Sequence, residues 1–540
     1  MKTILSIFAL VFVNYSVAQQ NNYSLNKDVE HKYVQAILKD TNQNFHSSVK
    51  PLNQHKFYKT GVEQVHFDSI RVFYWFTEKL YKKHLVEIKT PDFYCAIDPL
   101  FNFDMGGDLA DTSGRGSWQD DGGLFHTNTR GIRVKGNLGN KFSFQSSIYE
   151  NQAFFPDYMR IAFRQSGEYY WNGSKYKQQL AIVPGQGRAK SFKNSGFDYA
   201  FARGLISYAP NENWHLQFGN DKNFVGDGYR SILLSDAAFN YPFFKSTAYF
   251  LDNKIQVTNT FAFMQNLYRL PYFNTPEASF VKKNLNITTV SFLIGKKTEL
   301  MLFEATVFQR YDSLSGTTPV NILNYNPVFG LNTIVNGLNG VHNSLLGLNA
   351  RYNWSSNKMV YAQLMLDDLV NNKWGAQIGM RWYNWFSVPR TTAQFEYNYI
   401  SPYAYSHANL WQSYTHFNQG LAHPYAAGIK EFVGFLKHET QKRFWFSYKL
   451  NLVTYYLNDG VGVGGSNFLE SYSSSNVLST QIEDLRTSEI RIGYKCNPKT
   501  NMNLYLGMTL RNQKNNFEHH KTTYVHIGFR TNLLNEYYDF

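Results

Sequence analysis

Cysteine is scarce in this chain: Cys95 and Cys496 stand alone among 540 residues. That density excludes a disulfide framework. The two are expected to be inert thiols, with the strand pattern described below pointing Cys496 toward lipid. Long apolar runs are scarce as well. After the N-terminal segment nothing approaches about 18 uninterrupted apolar residues, which excludes a spanning helix there. Acidic residues number 40 against 53 basic ones, for a formal charge of +13. In an exported chain this balance points away from nucleic acid and toward acidic polysaccharide or lipid phosphate, or to charges spread over rims and lumen. Catalytic signatures are missing too. There is no GxSxG and no Ser/His/Asp set, and adjacent Asp367 and Asp368 on one strand would point to opposite faces. The expectation is a protein that is not an enzyme and uses no cofactor.

What is plentiful is aromatic. Tyr, Phe and Trp (39, 44 and 10 residues) make up 17% of the chain, while mean hydropathy is −0.41. Aromatic girdles around a wet interior account for both numbers in a membrane barrel. The N-terminus reads as a signal peptide over 1–18: Lys2, an apolar centre from Ile4 to Val13, and Ser16-Val17-Ala18 before Gln19. Residues 19–95 then show helical spacing at Val29, Tyr33 and Ile37, and again at Ile70, Phe73, Phe76 and Leu80. They predict a small helical periplasmic bundle or plug.

Farther on, the period changes to two. Trp374, Ala376, Ile378, Met380 and Trp382 alternate with Gly375, Gln377, Gly379, Arg381 and Tyr383. The same alternation runs through 443–452, 489–496, 502–511 and 525–530. A strand with this pattern needs an apolar environment on one face and a wet one on the other. The segments reach nine or more residues, the length of a tilted transmembrane strand. A soluble sandwich also alternates, but here the polar faces mix Arg, Lys and Glu with Gly and Tyr, and the chain ends on such a strand with a terminal Phe540. Barrel-assembly machinery reads final strands of this kind. The fold class is therefore all-β, a transmembrane antiparallel outer-membrane barrel over 96–540. At about 24 residues per strand and turn it has roughly 16 to 18 strands. Loops such as Gly460–Ser474 and Ser313–Pro319 read as extracellular.

The densest polar and aromatic segment is Phe218–Lys245. Its Gly219, Gly226 and Gly228 form no GxGxxG or Walker arrangement, so an inward-folded loop is expected. Asp227, Arg230, Asp236, Asn240 and Lys245, with rings at Tyr229, Phe239 and Tyr241, make it a candidate sugar-binding segment or an internal latch. A second cluster over Ile400–Lys430 holds Tyr403, Tyr405, Tyr414, His407, His416 and His423; the spacing of its histidines matches no metal motif.

These same stretches resemble the Wzi-type capsule-assembly outer-membrane proteins and, more closely, their relatives in gliding bacteria, the RemB gliding motility proteins. The matching segments include NTRG at 128–131, VPG at 183–185, GNDKNFVGDGYRSILLSDAAFNYPF at 219–243, LFEATVF at 302–308 and YNP at 325–327. NSLLGLNARY at 343–352, YAQLMLDDL at 361–369, SPYAYSHANLWQSYTHFNQGLAHPYAAGIKE at 401–431 and RTNLLNEYYDF at 530–540 continue the series. The resemblance implies a barrel with a helical periplasmic bundle that holds surface polysaccharide, supporting capsule assembly or gliding. A porin-like channel and a structural subunit of a secretion or motility complex are the alternatives. Asn284 and Asn286 depart from the family pattern, which bears on sugar specificity if that position touches ligand.

Overall fold

The computed structural model describes residues 22–39, 45–54, 74–111, 124–270, 274–312, 316–338, 340–457, 465, 467, 481–531 and 535–539. The signal-peptide region, Ile70, Phe73, most of Gly460–Ser474 and Phe540 lie outside these.

Alternation of apolar and polar residues makes long strands, and among the described residues eighteen of them form one closed circuit. In chain order they are β1 (Phe93–Asp108), β2 (Phe125–Leu138), β3 (Phe142–Phe154), β4 (Gly196–Asn211), β5 (Trp214–Asp221), β6 (Tyr241–Phe250), β7 (Ile255–Arg269), β8 (Phe280–Ile294), β9 (Thr298–Gln309), β10 (Asn343–Ser355), β11 (Lys358–Asp368), β12 (Lys373–Tyr383), β13 (Thr391–Ile400), β14 (Ile429–Glu439), β15 (Phe444–Tyr456), β16 (Ile482–Asn497), β17 (Met502–Lys514) and β18 (His519–Arg530). Each pairs antiparallel with the next. β18 closes on β1 from Arg530↔Asn102 to Tyr524↔Asp108. A nineteenth, four-residue strand, Val86–Lys89, pairs with the free first half of β1 and extends the seam. Closure leaves no unpaired edge in lipid, where an unpaired peptide group costs several kcal/mol.

Side chains fall where the period-two reading places them. Ile378, Ile492, Leu504, Leu506 and Ile527 project outward and are exposed, while Gln377, Arg381, Lys495, Asn503, Tyr505 and His526 are buried inside. Gly379 is required by close packing: a Cβ there would lie 2.3 Å from the ring of Tyr361 on the adjacent strand. Cys95 and Cys496 are both free thiols, and Cys496 has the outward parity of its strand.

Short turns join strands at one end of the barrel, among them 212–213, 295–297 and 356–357; connections at the other end are longer, including 155–195, 222–240, 310–342 and 401–428. Helix α1 (Lys27–Lys39) lies within the barrel. Its Val34 and Leu38 pack with Met359, Tyr361 and Tyr383 of the wall. Residues Val49 and Lys50 pair with Val225 and Phe224, so the N-terminal segment and the 222–240 connection make a two-stranded sheet inside the lumen. The second expected helix appears as α2 (Trp75–Tyr81), with Tyr74, Trp75 and Phe76 largely exposed. No helix of the described residues is long and apolar enough to cross a membrane.

Candidate functional site

The 222–240 connection folds inward because it carries its own apolar anchor. Ile232, Leu233 and Leu234 bury completely against Leu345, Met365, Tyr405 and Tyr414, and with Met301 and Phe303 they form a hydrophobic core in the lumen. Gly226, at φ +128°, lets the backbone pass Gln363, whose amide would sit 2.3 Å from any Cβ.

This anchor brings the sequence-derived candidates together, but gives them partners within the chain. Asp227 accepts from Ser47 Oγ at 2.9 Å and Ser48 Oγ at 3.2 Å. Arg230 is fully buried and donates to Glu431 and Asp539, each at 2.9 Å; His423 Nε2 lies 2.6 Å from the other Glu431 oxygen. The rings of Tyr229, Tyr425 and Tyr537 surround the guanidinium at 5.0, 5.5 and 5.3 Å. Burial opposes the charge of Arg230, but Asp539 and then Glu431 more than reverse this and keep it ionised. Asp236 accepts from Tyr537 Oη at 2.7 Å and Asn535 Nδ2 at 2.8 Å, which ties the C-terminal tail to the same segment. Asn240 donates to the Ala202 carbonyl, Lys245 donates to Asn223 Oδ1 at 2.8 Å, and Asn223 Nδ2 donates to Tyr241 Oη at 3.4 Å.

The second cluster behaves in the same way. Tyr405 Oη donates to the Ile232 carbonyl at 2.8 Å. His416 accepts from the Gln265 N–H, and its Nε2 faces the Asn240 carbonyl at 3.3 Å; burial, with Lys283 behind it, pushes this imidazole down to about 3. His407 faces the Gly340 carbonyl. The three histidines thus engage three different partners and do not converge. Asn284 and Asn286 point away from the lumen, on the outer face of β8, so the site inside the barrel contains neither.

Glu30 of α1 is the electrostatic hinge of the N-terminal plug. It receives Lys50 at 2.8 Å, Lys27 at 3.2 Å and Arg381 of the wall at 3.7 Å. Burial alone would raise its carboxyl, but Lys27, Lys50 and Arg381 together hold it well below the usual carboxylate range. A depressed carboxyl stabilises the docked plug above its ordinary value, and this is lost as pH falls toward the depressed one. In planar bilayers the barrel is expected to stay closed from about pH 7 to about pH 4 and to show openings below that. Glu30→Gln should open at neutral pH and lose the acid dependence; identical traces for the two proteins would sink the assignment.

Above the buried network, at the long-connection end, lies a cavity of about 510 Å³ whose lining includes Tyr169, Tyr268, Asn418, Gln419, Tyr425 and Tyr537. Half-buried rings cluster beside it. Tyr169 stacks on Tyr268 at 4.9 Å, and Tyr176 and Trp411 meet Tyr268 edge-on at 5.1 and 5.3 Å. Trp171 in turn meets Tyr176. This group lies outside both candidate segments of the sequence, and its one local signal there is the aromatic run EYYW at 168–171 in a polar connection. Lower down, two polar cavities of about 160 and 100 Å³ share Lys449, Glu489, Arg491, Tyr505 and Arg530.

An eighteen-strand antiparallel circuit with a largely apolar outer face, and with several of its own connections folded into the lumen, defines an outer-membrane β-barrel fold. No family model and no curated protein matches the chain. Among solved structures it is similar to Wzi, an outer-membrane protein involved in group 1 capsule assembly in Escherichia coli and described as a carbohydrate-binding β-barrel. The TM-score is 0.53 at 12% identity, over 95% of this chain and 100% of that one. OprD of Pseudomonas aeruginosa (TM-score 0.41, 7% identity, 81% of this chain and 96% of that one) and OccAB2 of Acinetobacter baumannii (0.40, 8%, 81% and 97%) also match. The fold is Wzi-like, and it belongs in an outer membrane.

Proposed function

We propose that this protein is a non-catalytic barrel that holds cell-surface polysaccharide at its long-connection end, in support of capsule attachment or gliding motility. Barrels of this class keep short turns in the periplasm and long loops outside, which supports a cell-surface position for the aromatic cavity. In this reading residues 1–18 are the signal peptide, 19–95 the periplasmic or plug unit and 96–540 the barrel, inserted by the barrel-assembly machinery into outer-membrane lipid. The single observation that carries the proposal is the cavity of about 510 Å³ with stacked tyrosines and side-chain amides over a filled lumen. Ring faces take the C–H faces of sugars, and amides take hydroxyls; connections folded into the lumen support binding over passage as the use of that opening. The carbohydrate binding stated for Wzi supports the same reading. Asp227, Arg230, Asp236 and their neighbours then act as the buried floor that holds Tyr425 and Tyr537 in place.

Alanine at Tyr268 or Trp171 should each weaken retention on immobilised surface polysaccharide about tenfold, the effect of losing an anchor residue. Barrel insertion, read as heat-modifiable gel mobility, should not change. Unaltered binding by both variants would refute the rim site. One observation favours a second reading, a narrow solute channel: the two polar cavities joined by Lys449, Glu489 and Arg491 run along one side of the lumen. Sustained conductance of the intact protein at neutral pH, without polysaccharide retention, would select it.

A further inference from the structure

Strands β7 to β10 carry a polar patch on an outer face that is otherwise largely apolar. Asn259, Asn284, Asn286, Thr288, Glu304, Thr306 and Ser344 all share the lipid side by register: Asn259 pairs with Thr288, Thr288 with Glu304, Asn286 with Thr306 and Thr306 with Ser344. Each is at most 2% exposed. Glu304 is the seventh of the twelve residues of its strand, near mid-wall. A bare carboxylate and a patch of amides at that depth would face hydrocarbon, which lipid-facing strands avoid.

What covers them is the chain itself. The connection between β9 and β10 leaves the rim and lies on the outer wall. The Asn326 carbonyl accepts from Asn286 Nδ2 at 2.7 Å and from Asn259 Nδ2 at 3.1 Å. Tyr325 packs its ring on the outward Phe244 and Phe261. Farther on, the Gly330 and Thr333 N–H groups, at the start of the six-residue helix Leu331–Asn336, donate to Glu304 at 2.7 and 2.8 Å, and Thr333 Oγ1 adds a third bond at 2.7 Å. The other face of this segment is apolar and open: Ile322 is 74% exposed, Leu323 79%, Ile334 81% and Val335 72%.

We infer that residues 320–336 form a strap inserted in the membrane, whose polar underside hydrogen-bonds Asn259, Asn286 and Glu304 of the wall and whose apolar upper side is covered by lipid acyl chains. The occupant follows from continuity. The strap lies on the same outer surface as the lipid-facing Phe218, Phe263 and Leu364 of neighbouring strands, so its apolar side extends the band those residues begin.

Depth measurement tests this in a Cys95→Ala, Cys496→Ala background with single nitroxide labels at Leu323→Cys and Ile334→Cys, reconstituted in phosphatidylcholine vesicles. Both labels should collide readily with oxygen and poorly with an aqueous nickel chelate, matching a label at the outward wall position Ile378→Cys. A label at Phe517→Cys, in the 515–518 connection, supplies the aqueous reference. Strap labels that match the Phe517 position would overturn the inference. Spin–spin broadening that vanishes on dilution with unlabelled protein would overturn acyl chains as the occupant and assign the face to a second copy of the chain. All these positions are exposed, so the labels leave the packed interior intact.

Discussion

Arg230→Met is expected to destabilise the folded barrel by about 3–5 kcal/mol, the cost of removing one partner from a buried ion pair. The reason lies in what stays behind. Glu431 and Asp539 are both buried against the guanidinium, and among the described residues His423 and Asn398 are what remain beside the Glu431 carboxylate. Asp539 loses its closer cation and keeps Lys449 at 3.6 Å. The C-terminal tail therefore loses its clamp, although Asn535 and Tyr537 still donate to Asp236. The measurement is the temperature at which the folded gel form converts to the unfolded one, together with protease cleavage near the C-terminus. Adding Glu431→Leu should recover part of the loss, because the second change removes the stranded charge. A single variant as stable as the parent would show that the network is dispensable.

Deleting residues 22–54 should convert an electrically quiet barrel into a conducting one. Barrels of 16–18 strands enclose an aqueous channel unless something fills it. Here α1 is the floor of the cavity of about 160 Å³, through Asp28, Glu30 and His31, and that cavity adjoins the one of about 100 Å³ by sharing Lys449 and Arg491. With the floor gone, the polar side of the lumen opens to the short-turn end, while the 222–240 segment and the tail around Tyr538 and Asp539 narrow the other. Sustained current steps in planar bilayers are expected, larger again when Arg230→Met frees the tail. A trace as flat as that of the intact protein would show that the 222–240 segment and the tail seal the lumen unaided.

The strands easiest to read from sequence were those whose two environments match the simplest barrel. Over 374–382, 444–452, 490–496, 502–510 and 525–529, in β12 and β15 to β18, the outward residues are mostly greasy and the inward ones mostly polar, so alternation located them directly. The plug was legible in part. The spacing of Val29, Tyr33 and Ile37 marked α1, but of these three it buries Ile37 alone, together with Glu30, Val34 and Leu38. The candidate residues of Phe218–Lys245 do gather in the lumen, yet as a network satisfied by distant partners: Ser47, Glu431 and Asp539 lie 180, 201 and 309 residues away from Asp227 or Arg230. No local pattern announces such partners.

Composition and period alone determined the barrel, its antiparallel strands, its inward-folded loop and the absence of a disulfide frame, since each follows from how neighbouring residues face water or hydrocarbon. The tertiary structure decided what the faces of β7 to β10 mean. In LFEATVF at 302–308, Phe303, Ala305 and Val307 point into the lumen and Glu304 and Thr306 point out. That order makes sense only because Ile232–Leu234 fills the lumen with hydrocarbon and the Asn326–Thr333 stretch brings hydrogen bonds to the outer wall. A strand's preference depends on its surroundings, and here segments far away in the chain supply them.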